Sequence, residues 1–97
     1  RIKGLLGKKG MAADEALILS PCHSVHTFFM QFPIDVVFTK ADGEIVSLYP
    51  NLKPYRLTWV HGRATQAIEL ASGTIEKWQL RSGQHLKVIS VGRASHG

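Results

Sequence analysis

Apolar and polar positions alternate most cleanly between Ile34 and Tyr49. Ile34, Val36 and Phe38 share one parity, Ala41-Asp42-Gly43 interrupts them, and Ile45 restarts a β-rich run to Tyr49. Asp-Gly between two such runs predicts a hairpin, because Gly43 takes positive φ at little cost. Upstream, Leu17-Ile18-Leu19 forms an apolar run that Pro21 should end or edge. Val25 to Phe32 is again rich in β-branched and aromatic residues, up to Pro33. Downstream, residues 56–60 (RLTWV) predict a strand or an extended loop, His61-Gly62 a turn, and Ile68 with Leu70 one face of another strand. Thr74 is placed to N-cap a short helix over IEKWQL, with Arg81 suited to its last turn and Gly83 to its end. HLKVISV predicts a closing strand.

These elements sum to six or seven short strands and one or two helical turns, the opening RIKGLLGKKGM allowing one such turn. Nothing in the order has a βαβ rhythm. The fold class expected is therefore mainly β, a compact antiparallel barrel or sandwich. Ninety-seven residues with 44% hydrophobic content support one domain over 1–97, with 92–97 expected to be a flexible tail.

Charge and cysteine count change this picture little. The net charge of +5 favours anionic surfaces in general, but the basic residues are scattered apart from Lys8-Lys9, so no specific nucleic-acid partner is expected. The single cysteine excludes an internal disulfide. No run approaches the length of a membrane span. The chain opens at Arg1 without a Met, which fits an excised or processed piece. An exported or periplasmic location is expected if a targeting segment was removed, and a cytoplasmic one otherwise.

Candidate chemistry concentrates in PCHSVHTFFM, residues 21–30. Extended backbone puts Cys22, Ser24, His26 and Phe28 on one face and His23, Val25 and Thr27 on the other. Cys22 and His26 would then stand roughly 13 Å apart, too far for a nucleophile–base pair. The donors Cys22, His23, His26, His61 and His85 match no recognised zinc spacing, and no nucleotide-binding or hydrolase motif occurs, so neither metal nor cofactor is expected. The structural expectation for His26 is a buried or half-buried imidazole bonded to a backbone group or carboxylate. The functional one is a residue lining a ligand pocket. Asp35 lies opposite the Ile34–Phe38 stripe and is expected either to be merely solvated or to order the His26 ring. Met30 reads as packing. Glu69 reads as a solvated outer-face residue, or a partner of Arg63 or a pocket. Arg56 and Trp59 could edge a groove.

Three segments together carry a family resemblance: GLLGKKGM, HTFFMQFPIDVVFTKADGEIVSLYPNLKP and ATQAIELASGTIEKWQLRSGQHLKV. Their order and motifs, notably His26-Thr27 with Met30, Ile34–Phe38 with Asp42-Gly43, and Ala67–Leu70 before Gly73, resemble the DUF192 (UPF0127) family over roughly residues 3–89. The resemblance implies a small β-rich bacterial or archaeal domain, in many members exported or anchored by an N-terminal segment, with no settled activity. It also implies a shared pocket or core feature at Met30 and Asp35. The chain departs from the family at Gln31-Phe32, where Lys-Asn is common, and at Gln84, where Asp is common.

The function expected is a small non-enzymatic binding or accessory domain. Its ligand or protein partner is unidentified, and its groove lies near His26, Met30, Asp35 and Glu69. The alternatives are a hydrolytic or metal-dependent enzyme using His26 and Asp35, and a structural module that meets a protein partner through a sheet edge or through Trp59 and Trp78.

Overall fold

The computed structural model of the chain describes residues 16–28 and 30–87. The predicted opening turn, most of the closing strand and the expected 92–97 tail lie outside the described residues. Four strands and one helix follow in order: β1 (Ala16–Leu19), β2 (Ile34–Thr39), β3 (Ile45–Leu52), β4 (Gln66–Ala71) and α1 (Thr74–Trp78). The strands form one antiparallel sheet in the order β1-β4-β2-β3. The mainly-β expectation holds, with one short helix. Among the described residues the sheet is open, not a closed barrel, and its layers give a sandwich-like domain.

β2 is the pivot because it pairs on both sides and all six of its residues are buried. Ile34, Val36 and Phe38 face one layer with Met30, Phe32, Val25 and Leu19. Val37 faces the other, with Ile45, Ile68, Leu70 and Ile75. Each face of a strand must be covered for both parities to be apolar. Here the segments 21–32 and 53–64 cover the first face, while α1 and residues 80–86 cover the second.

The β2–β3 hairpin forms as the Asp-Gly signal predicts. Gly43 has φ of 92°, its N–H donates to the Lys40 carbonyl, and the Asp42 carboxylate accepts the Glu44 N–H at 2.9 Å. Residues 83–86 then run along the start of β3. Ile45 N–H donates to Gln84, and Leu86 N–H to Gly43. Of the predicted closing strand, residues 85–87 are described, and His85 forms an isolated bridge with Glu44.

Three further local expectations are corrected. Residues 22–28 are not a regular strand; residues 56–60 take the extended-loop form, one of the two expected for them, and one isolated bridge, His26 to Leu57, joins the two segments, so the described strands number four. Gly73, not Thr74, holds the N-cap position of α1 with φ of 97°, and the Thr74 hydroxyl turns back to the Ala71 carbonyl at 2.7 Å. Gln79 in the left-handed conformation ends the helix before Arg81 and Gly83. A five-residue helix has too few internal hydrogen bonds to be stable alone, so its stability comes from what anchors its ends.

Gly43 is the most constrained position of the hairpin. A Cβ there would land on the Leu86 carbonyl oxygen, and the positive φ disfavours any L side chain. Gly43→Ala should cost about 1–3 kcal/mol from backbone strain alone, with the clash added. Urea unfolding would check this; an unchanged midpoint would contradict the close approach of residues 83–86.

Candidate functional site

Asp35 is the polar centre of the buried sheet. It has no exposed surface, and its carboxylate accepts three backbone N–H groups from two other parts of the chain. Oδ1 takes Asn51 at 2.8 Å and Gly73 at 3.2 Å, and Oδ2 takes Ile75 at 2.7 Å. The geometry follows from local irregularities. The β2–β3 register slips between Ile34 and Val36, and Asn51 has φ of 52°. That bulge turns the Asn51 N–H inward. From the other side, the left-handed Gly73 aims the first N–H groups of α1 at the same carboxylate. Desolvating a carboxylate costs several kcal/mol. Three charge-assisted bonds at about 1.5–3 kcal/mol each offset it.

This arrangement separates the residues expected to share a groove. Antiparallel partners point to the same face. Asp35 pairs with Leu70, so it lies in the layer of Ile75, whereas Glu69 pairs with Val36, so it lies in the layer of Met30. Met30 is buried packing, as its chemistry predicts. Glu69 is fully buried rather than solvated, and it is not without a polar or electrostatic partner. His26 is exposed, not buried, and its ring rests on Phe28 at 5.1 Å between centroids. Asp35 is therefore engaged by backbone amides and orders no imidazole. The structure thus places Asp35 in one layer, Met30 and Glu69 in the other, and the His26 ring at the surface.

Two other features come forward. The first is a cluster at the hairpin turn, where Asp42, Glu44 and His85 hold potential ligand atoms within 4.8 Å of one another. It adjoins an open cleft of about 550 Å³ lined in part by Ile18, Gln66 and Leu86. Each group already has turn-closing work: Asp42 takes the Glu44 N–H, His85 Nε2 stands 3.5 Å from Asp42, and Glu44 pairs with Lys40 at 3.3 Å. The Glu44 N–H holds Asp42 below its ordinary 3.8, against the desolvation that raises it and with help from His85 and Lys40.

The second is a two-stranded ribbon formed by residues 23–28 and 53–61. Thr27, fully buried, is its clamp. Its hydroxyl donates to the Lys53 carbonyl at 2.7 Å and accepts the Arg56 N–H at 2.9 Å, while its backbone bonds Arg56 and Tyr55. Thr58, also buried, accepts the Val25 N–H on its hydroxyl and donates its own N–H to Val25. The His61 N–H closes the ribbon on the His23 carbonyl. With Thr58 inward, alternation turns Leu57 and Trp59 outward. Tyr55, Leu57, Trp59 and Val60 are 66–80% exposed, and Phe28 stands beside His26. Beneath the ribbon's far end, Tyr49 Oη and His61 Nε2 are hydrogen-bonded at 2.7 Å over the Phe38 ring. Trp59 and Arg56 were legible as groove-edge candidates. The clamping threonines were not, although Thr58 between outward Leu57 and Trp59 is a period-two signal.

The family model of DUF192, described as an uncharacterised ACR, matches residues 1–88. The chain belongs to the DUF192 family. No curated protein matches it. A crystal structure of a protein of unknown function from Novosphingobium aromaticivorans is similar in fold, with TM-score 0.75 and 19% identity over 86% of this chain and 64% of that one. A Sinorhizobium meliloti protein, provisionally described as a transcription regulator, has TM-score 0.73 and 21% identity over 86% of this chain and 69% of that one. The chain thus spans about two thirds of the length of these structures. At such identities the likeness concerns the fold. Among the described residues of this DUF192 domain, no helix is long and apolar enough to cross a membrane.

Two predictions follow from the buried and exposed acids. Asp35→Ala leaves three inward-facing N–H groups without their acceptor and should destabilise by about 3 kcal/mol or more, whereas Asp35→Asn, which keeps one oxygen, should lose less; chemical denaturation ranks the two. Asp42 has a folded value below its unfolded one, so its contribution to stability is present above about pH 3.8 and is lost as pH falls through the folded value. Denaturation between pH 5 and pH 2 should show a slightly shallower acid loss in Asp42→Asn; an identical profile would remove the carboxylate's role in the turn.

Proposed function

We propose that this DUF192 domain is a non-enzymatic binding or accessory module, and that its working surface is the 23–28/53–61 ribbon rather than a pocket between Met30, Asp35 and Glu69. One observation carries the reading: large apolar side chains are held out to water by a ladder that runs through two buried threonines. Scattered exposed apolar residues are ordinary, but contiguous ones mark interaction sites. Five of the seven large apolar side chains exposed among the described residues belong to this ribbon or adjoin it. The backbone ladder also makes the ribbon pre-formed, which lowers the ordering cost of association.

Supporting this reading is the way the two fully buried acids are enclosed. Asp35 is saturated by amides, and Glu69 sits in the opposite layer, so neither faces the histidine that an acid–base mechanism through His26 would require. Among the described residues the turn cluster of Asp42, Glu44 and His85 is the group that could hold a metal ion, and its side chains serve the hairpin.

A fluorescent apolar dye should bind the native protein, and the double substitution Leu57→Ser, Trp59→Ser should abolish that signal. Exposed positions away from caps and core change stability by roughly 0.5 kcal/mol or less each, so the variant's unfolding free energy should stay within about 1 kcal/mol of the parent. Dye binding that survives the substitutions, or a variant that fails to fold, would show that the ribbon serves the core instead.

A further inference from the structure

We infer that the ribbon docks on the surface of an anionic lipid bilayer, a proposal that rests on the binding-module reading above and names its partner. The apolar part of the argument is the composition of the tip. Trp59 and Tyr55 are amphipathic aromatics suited to the headgroup boundary, and Leu57 and Val60 supply aliphatic surface for the acyl edge. The electrostatic part is independent of it. Residues 16–34 and 45–68, which contain both arms of the ribbon, hold no Asp or Glu at all. Lys53, Arg56 and Arg63 are all exposed, with Arg56 between Tyr55 and Leu57. Among the described residues, the acids that reach solvent, Asp42, Glu44 and Glu76, lie elsewhere, at the hairpin turn and on α1.

A protein-binding patch of this size does not require the surrounding sequence to be free of acid. A surface that approaches anionic headgroups does, because each carboxylate would be repelled over about a Debye length. Apolar insertion alone is weak, as is a few-charge attraction alone, and stable peripheral binding combines both signals. The ribbon carries both within nine residues, Lys53 to His61.

The test uses the purified chain with Trp78→Phe, so that Trp59 is its single tryptophan. It is mixed with vesicles of pure phosphatidylcholine, or of phosphatidylcholine with phosphatidylglycerol. Co-sedimentation with the anionic vesicles, a blue-shifted Trp59 emission and loss of binding as salt rises are expected. Arg56→Gln and Arg63→Gln should each weaken binding by about five-fold, and Trp59→Ser should remove most of it, with circular dichroism confirming that each variant folds. Equal binding to both vesicle types, or to neither, overturns the proposal, as does a concentration-dependent dimer that shields Trp59. If vesicles fail while the apolar dye still binds at Leu57 and Trp59, the lipid partner is wrong and the binding-module reading stands. If both fail, the two fall together.

Discussion

The domain is organised around one buried carboxylate held by three backbone N–H groups. Asp35 sits mid-sheet on the pivot strand, where a charge is costly, and is made tolerable by amides drawn from the end of β3 and the start of α1. Those amides are available only because the backbone is irregular at both places: a bulge with left-handed Asn51, and a left-handed Gly73. The carboxylate therefore explains features that are otherwise defects. It fixes the β3 register at its far end, orients a helix too short to stand alone, and ties the β4–α1 turn to the sheet. Ser72 reinforces the same junction by donating to the Asn51 side chain at 2.6 Å.

On the opposite face the described residues cover the sheet with extended segments rather than a helix, and the polar problem is solved differently. An extended loop brings unpaired N–H and C=O groups over an apolar layer, where each needs a partner. Thr27 and Thr58 supply them: a hydroxyl both donates and accepts, so one buried threonine can satisfy two backbone groups. The apolar inward residue Val25 and these two threonines seal the layer above Val36 and Phe38. Tyr55, Leu57, Trp59 and Val60 are left facing water.

The hairpin was legible from the sequence because its cause is local: alternation, then Asp42-Gly43, then alternation. The same holds for β4 and for the existence, though not the cap, of α1. The family was legible too, because the motifs around Met30, Asp35 and Gly73 recur in a fixed order. What could not be read was which face each acid takes relative to the other. That depends on the pairing of β2 with β4, a one-residue matter of register that places Asp35 beside Leu70 and Glu69 beside Val36. His26 was misjudged for a related reason. Polarity in an alternating stretch gives two faces without saying which is inward, and Val25 with Thr27 took the core side. Glu69, between apolar neighbours in sequence, gave no sign that both faces of its strand would be covered.

The separation of these two polar strategies bears on function. Asp35 is committed to backbone, and removing its carboxylate would loosen the strand–helix junction rather than open a site. The outward edge of the threonine-clamped ribbon carries aromatic, aliphatic and cationic side chains, and residues 16–34 and 45–68 hold no acid. A fold that merely tolerated stray hydrophobics would spread them over both arms and both faces. Here the sheet supplies rigidity from one side, two hydroxyls hold the ribbon against it, and the large apolar groups gather at the edge that this clamping leaves exposed. The exposed ribbon and the buried charge are thus consequences of the same sheet, with β2 supporting the ribbon on one face and Asp35 holding the helix on the other.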